Sequence, residues 1–182
     1  MNEAKRKPSE WSGEALDRAF GLGAPEYIFY LMLQATRRRE AALSEAFDDL
    51  GLTVPKFRAL VVISRLKSTI TNEVAHLSSV DRTTLTRTLD QLVAAGLVLR
   101  TPSPTDRRVI LLSLTEEGEQ LVQRAREASH GYNDRMLRGV PDDRRIAALR
   151  LLQQVVNNMI DDDDIAHGVL TYRHTSPRAG EA

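Results

Sequence analysis

The sequence predicts a mainly α-helical fold carrying one small β-hairpin, with long helices on either side of a compact centre. Apolar residues recur at near-helical spacing over most of residues 25–160. The period changes once, between Gly96 and Thr115, to two short β-prone runs. At the changes of period stand the Gly, Pro, Thr and Asp residues that start and stop helices.

Residues 1–22 mix charge, Gly and Pro (Lys5, Arg6, Lys7, Pro8, Gly13, Gly21) without a sustained period, apart from a short helical turn near Glu14 to Phe20, and predict a flexible arm. From Pro25 to about Asp49 there is neither Gly nor further Pro. Ile28, Leu31, Ala35, Ala42, Ala46 and Leu50 mark one side of a long first helix, with Arg37, Arg38, Arg39 and Glu40 on its exposed side. Gly51 ends it. Thr53 and Pro55 open the next, because Thr caps free backbone amides and Pro fits a first turn that needs no donor. Phe57, Leu60, Val61 and Ile63 give that helix its buried side to about Lys67, and a third runs from Thr71 to about Ser79 on Val74, Ala75 and Leu77. Asp81 caps a fourth, Arg82 to Ala95, which Gly96 stops. Leu97 to Arg100 and Val109 to Leu114 then read as strands, joined by a polar, basic loop from Pro102 to Arg108. Thr115 caps a further helix with Glu116 and Glu117 in its first turn, running to about Leu137, and the last starts after Pro141 with Asp142 and Asp143. Residues 161–182 begin with Asp161 to Asp164, which disfavour a helix carboxyl end, and predict an acidic, mobile tail.

At 182 residues and 42% apolar content the chain suits one core with appended helices. Its apolar stretches fall far short of the roughly 20 residues that cross a bilayer. With Met1 to Glu10 polar and charged, the expectation is a cytoplasmic protein with no membrane contact and no secretory signal. The absence of cysteine excludes disulfides, thiolate metal sites, cysteine nucleophiles and thiol redox sensing. Twenty-five basic residues balance 25 acidic ones, so any attraction to a polyanion must be local. From Arg82 to Arg108, five arginines face only Asp90 and Asp106, a basic stripe on a neutral body. Such a stripe is also what a solvated face carries.

Helix, helix, turn, helix and hairpin from 55 to 115 make a winged helix-turn-helix, whose second helix enters the major groove of DNA. Leu85, Leu89 and Leu92 hold that helix to the core, leaving hydroxyls and guanidinia for solvent. Thr83, Thr84, Thr86 and Thr88 suit phosphates, base edges and thymine methyls, and an Arg grips guanine. They also suit the surface of an ordinary amphipathic helix. Asp106-Arg107-Arg108 lies in the hairpin loop, where a projecting Arg enters a minor groove and a neighbouring carboxylate fixes its direction.

The segment DRTTLTRTLDQLVAAGLV, followed by DRRVILLSLTEEG, resembles the MarR (multiple antibiotic resistance regulator) family. Its wing pattern of Asp-x-Arg, five residues, then Leu-Thr is met by Asp106, Arg108, Leu114 and Thr115, and the resemblance extends over about Pro25 to Ile160. It implies a MarR-type domain over 23–160 that binds double-stranded DNA at a pseudo-palindromic operator and regulates transcription as a repressor released by a small, often aromatic, ligand. Thr83, Thr84, Thr86 and Arg87 would face the major groove, with Arg82 beside them; Arg108 would enter the minor groove, oriented by Asp106 and flanked by Arg107. Helices over about 25–50 and 115–160 would form a homodimer that sets the recognition helices roughly 34 Å apart. Ser78 departs from the pattern by standing where the family usually has a larger apolar residue, which implies different packing at the turn.

His76, His130, His167 and His174 match no compact metal motif, so no metal or cofactor is expected. Tyr27 and Tyr30, with Phe29 and Trp11, either line an effector pocket or pack in the core and dimer contact. No phosphate loop, nucleophile elbow or paired-carboxylate set is present, so no enzyme is expected. The competing reading is a winged helix used as a protein-interaction module without DNA binding.

Overall fold

The structure, a computed structural model, describes residues 24–161 together with Gly168 and Val169. The arm expected at 1–22 and most of the acidic tail expected at 161–182 lie outside these residues. By contacts the chain divides into two compact units, 1–45 and 46–182, a boundary that falls inside the first helix.

Helix α1 is Ala24–Phe47 and runs on into one 3-10 turn, Asp48–Leu50. Gly51 stops it with φ of 59°, a left-handed conformation that a side chain would strain. Helix α2 (Val54–Leu66) starts on Thr53, whose side chain accepts the Lys56 amide. Helices α3 (Thr71–Ser78) and α4 (Arg82–Ala94) follow, then strands β1 (Val98–Pro102) and β2 (Ile110–Leu114), and helices α5 (Glu116–Met136) and α6 (Asp142–Asn157).

Helix α2 is the hub of the second unit, packing against α3, α4, α5 and β2. It is buried nearly all round, through Phe57, Ala59, Leu60, Val61, Val62, Ile63 and Ser64. That is why its sequence is an apolar run rather than a stripe. Each fully buried Leu, Ile or Phe of this core contributes about 1.5–3 kcal/mol relative to exposure. The turn into α4 passes through Ser79 at φ 53° and the buried Val80.

Ser78 explains the departure noted in the sequence. Its side chain is buried, and its hydroxyl is the buried side-chain polar atom without a hydrogen-bond partner among the described residues. A desolvated hydroxyl left unpaired costs about 1–3 kcal/mol. Ser78→Ala is therefore expected to stabilise the protein by about 1 kcal/mol, read as a higher melting temperature.

The hairpin is antiparallel, pairing Val98 with Leu114 through to Pro102 with Ile110. Its first strand ends two residues later than the sequence predicts, because Pro102 sits at the strand's end where no ladder amide is required. Thr69, ahead of α3, adds a one-residue bridge on the far side of β2: its amide donates to the Leu112 carbonyl at 3.1 Å and its carbonyl accepts from Leu112 at 2.7 Å. The elbow between α5 and α6 turns at Gly139, with φ 74°. Arg145 closes it, donating to the carbonyls of Val140 at 2.8 Å and Leu137 at 3.1 Å. The Leu137 carbonyl also accepts the Val140 amide at 3.1 Å, so the turn is closed by backbone and side chain together.

Among the described residues no helix is long and apolar enough to cross a membrane.

Candidate nucleic-acid interface

Helix α4 is positioned by its cap and its leucines. Asp81 Oδ1 accepts the Thr84 amide at 2.9 Å. Hydrogen bonds from the side chain and amide of Thr84, and from the Thr83 amide, hold the Asp81 carboxyl below the ordinary aspartate range. Because folding lowers this pKa, the charged cap's contribution is complete above the ordinary range and is lost only as pH falls through the folded value. Leu85, Leu89 and Leu92 are each 1% exposed.

On the outer side Arg82, Thr83, Thr84, Thr86, Arg87, Asp90 and Gln91 are exposed. Thr88 is not: at 6% exposure it joins the buried stripe, correcting the reading that set it among the solvent-facing hydroxyls. Its place three residues after Leu85 and four before Leu92 puts it there. Thr86 donates its hydroxyl proton to the Arg82 carbonyl at 3.0 Å, which leaves the oxygen's lone pairs and the methyl outward. Two open depressions flank the helix. One, of about 340 Å³, lies between Thr53 and Pro55 of the α2 start and Thr83, Thr84, Arg87, Thr88 and Gln91. The other, of about 540 Å³, is lined by Arg82, Thr83, Thr86, Arg87 and Asp90. Between them α4 stands as a ridge.

The wing loop is stiffer than its length suggests. The Ser103 amide donates to the Val109 carbonyl at 2.8 Å, and the Val109 amide to the Asp106 carbonyl at 2.9 Å. Asp106 Oδ1 accepts the backbone amide of Arg108 at 2.9 Å. Asp106 thus meets Arg108 through its backbone amide, ordering the loop beneath that residue as an Asx turn does. Arg107 and Arg108 are exposed on that ordered loop. Among the described residues Arg82, Arg87, Arg107 and Arg108 form no ion pair with a carboxylate.

One basic residue of the stripe does. Arg100 Nη2 of β1 lies 2.8 Å from Asp90 Oδ1 of α4. Sequence reasoning missed this link, since nothing in residues ten apart across a helix end and a strand start announces a contact.

The base of the wing is fixed to α5. Thr115 Oγ1 accepts the Gly118 amide at 3.0 Å and donates to the Gly96 carbonyl at 2.8 Å. Gly118 lets the helix approach: a Cβ there would lie inside contact distance of the Leu97 carbonyl oxygen. Glu119 accepts Ser64 Oγ at 2.6 Å and Lys67 Nζ at 3.0 Å. Burial alone would raise its pKa, but those two partners hold the carboxyl below the ordinary glutamate value.

Of the aromatic pair on α1, Tyr27 and Tyr30 stack with centroids 6.0 Å apart. Tyr27 is buried and Tyr30 exposed. No group of three or more His, Asp or Glu able to hold a metal ion occurs among the described residues.

The sequence profile of the MarR family matches residues 52–110. The multiple antibiotic resistance protein MarR of Escherichia coli is 31% identical over 97 residues, 53% of this chain and 67% of that protein. The HTH-type transcriptional repressor IacR of Pseudomonas putida is 24% identical over 134 residues, 74% of this chain and 80% of that protein. Among solved structures, a MarR-family transcriptional regulator from Silicibacter pomeroyi superposes with a TM-score of 0.69 at 28% identity, covering 87% of this chain and all but 1% of that one, at 99%. A mutant Escherichia coli MarR complexed with operator DNA gives 0.64 at 26% identity over 70% of this chain and 92% of its own. CouR of Rhodococcus jostii, bound to p-coumaroyl-CoA, gives 0.65 at 28% identity over 70% of this chain and 90% of its own.

Proposed function

Because this chain belongs to the MarR family, we propose that its four unpaired arginines are the DNA-contacting charges of a transcriptional repressor that works as a homodimer. The observation that carries the reading is the surface of α4 and the wing. Arg82 and Arg87 on the helix, and Arg107 and Arg108 on the loop, are exposed on rigid supports and form no ion pair among the described residues. In a chain of zero net charge, four guanidinia left without carboxylates on two adjacent elements mark where a polyanion docks. Helix α4 fits a major groove with Thr83, Thr84, Thr86 and Arg87 toward base edges, and the wing sets Arg108 toward the flanking minor groove.

The dimer follows from α6. It buries none of its residues within the protomer, and Ile146, Leu149, Leu151 and Leu152 are each at least 40% exposed. A helix that presents such a face needs a partner, and a second copy places two α4 helices on one face of a duplex. MarR solved with operator DNA supports the first part of the reading, and CouR solved with p-coumaroyl-CoA supports release by a small aromatic-bearing ligand, for which Tyr30 offers an exposed ring. A cytoplasmic location accords with this work.

The test is a titration of the dimer with a duplex selected from a random pool. Eight arginines per dimer predict a fall in affinity of about 10³-fold or more between 50 and 200 mM salt. Arg108→Ala is expected to reduce the slope of log affinity against log salt by about 2, one per protomer, with the largest loss on A·T-rich flanks. A flat salt response would instead support a protein-interaction module.

A further inference from the structure

Asp90 is the unexpected member of the α4 surface. It lines the same depression as Arg82, Thr83, Thr86 and Arg87, yet a carboxylate there faces the phosphates that the arginines would attract. Its partner Arg100 comes from β1, the strand that leads directly into the wing. The pair is half exposed, with the two side chains 58% and 40% accessible. In the free protein such a pair contributes little to stability. When a duplex covers this face the same pair is desolvated, and breaking it then leaves one charge buried and alone.

We propose that the Asp90–Arg100 pair is a positioning device that fixes the wing against the recognition helix, and that Arg100 acts through Asp90 rather than on DNA. The geometry supports this in three ways. The guanidinium gives an Nη2 donor to the carboxylate at 2.8 Å, which fixes its direction toward α4. The pair joins the two elements that carry the candidate DNA contacts, adding a side-chain link at the surface to the bend at Gly96 and Leu97 and to the packing of α4 on β1 beneath it. Arg100 pairs across the hairpin with Leu112, which Thr69 bridges on its other side, so the β2 position opposite Arg100 is held from both sides. Helix and wing then approach DNA as one body, with the distance from Arg87 to Arg108 preset rather than found on binding. Arg100 is thus a positioning residue and Asp90 its anchor.

The inference rests on the DNA-binding reading, and its test separates the two. Wild type, Arg108→Ala, Asp90→Asn and the double variant are titrated with one selected operator at fixed salt, and each is melted thermally. In the wild-type background Arg108→Ala is expected to weaken binding about tenfold or more. In the Asp90→Asn background, where the wing is no longer held in register, the same substitution is expected to weaken it less than about threefold, with all four proteins melting within about 2 °C of one another. Equal factors in both backgrounds would overturn the inference, because the wing would then be placed without the pair. Arg100→Gln supplies a second readout: its salt slope stays at the wild-type value, whereas a slope lower by about 2 makes Arg100 a direct phosphate ligand and overturns it. Absence of any salt-dependent binding by the wild type would count against the DNA-binding reading itself.

Discussion

Gly118→Ala is expected to destabilise the protein by about 3 kcal/mol, lowering the melting temperature by about 6–12 °C, although the same change inside a helix ordinarily stabilises by roughly 1 kcal/mol. The reversal of sign comes from one atom. A Cβ on Gly118 meets the backbone oxygen of Leu97 and comes within 3.3 Å of the Leu114 Cβ. A backbone carbonyl at the root of β1 has no rotamer by which to withdraw, so α5 must lift away. That movement opens the hydrogen bonds of Thr115 to Gly96 and of the Thr115 amide to Leu97, at 2.8 and 3.1 Å. Gly131 in the same helix is the control. An added Cβ there has nothing within 4 Å, so Gly131→Ala is expected to raise the melting temperature. Thermal melts of the two variants, side by side, decide the matter, and a neutral Gly118→Ala would show that the approach of α5 to the wing root is looser than described.

Arg87→Ala is expected to leave the melting temperature unchanged and to weaken operator binding by about 30-fold to 10⁴-fold. Its side chain is exposed and lines both depressions beside α4, so little folding energy depends on it. A bidentate contact to guanine is worth about 1–3 kcal/mol, and a two-fold dimer loses it twice, for about 2–6 kcal/mol in all. Arg87→Lys separates the two parts of that loss. The ammonium keeps the charge but not the planar fork, so affinity for unrelated duplexes persists while preference for the selected operator falls. If Arg87→Ala instead weakens all duplexes equally, Arg87 touches phosphate and specificity lies elsewhere on the helix.

What could be read from the residues alone was whatever depends on local spacing and backbone chemistry. Thr53, Asp81 and Thr115 are all N-caps as their residue types and positions foretold, and Gly51 ends α1 by its φ. Leu85, Leu89 and Leu92 announced the buried side of α4. Thr88 belonged to the same stripe by spacing, and its hydroxyl misled. That Asp106 and Arg108 belong together in the loop was legible from their spacing, and the bond between them is local, from the Arg108 amide to the carboxylate. The links that join elements were not legible. Asp90 to Arg100, Glu119 to Ser64 and Lys67, and Thr69 to Leu112 each depend on how the second unit closes. Even Gly118 carried a faint signal, a glycine in a helical first turn with no local reason for it. Its reason lies across the packing, at Leu97.

Among the described residues strand β1 has a ladder partner on one side only, because Thr69 bridges to β2 and not to it. A free, flat strand edge is where a second molecule adds its own strand and begins an aggregate. Here the edge ends in Pro102, which has no amide to donate. The outer edge of the hairpin is thereby shortened as a template for a further strand.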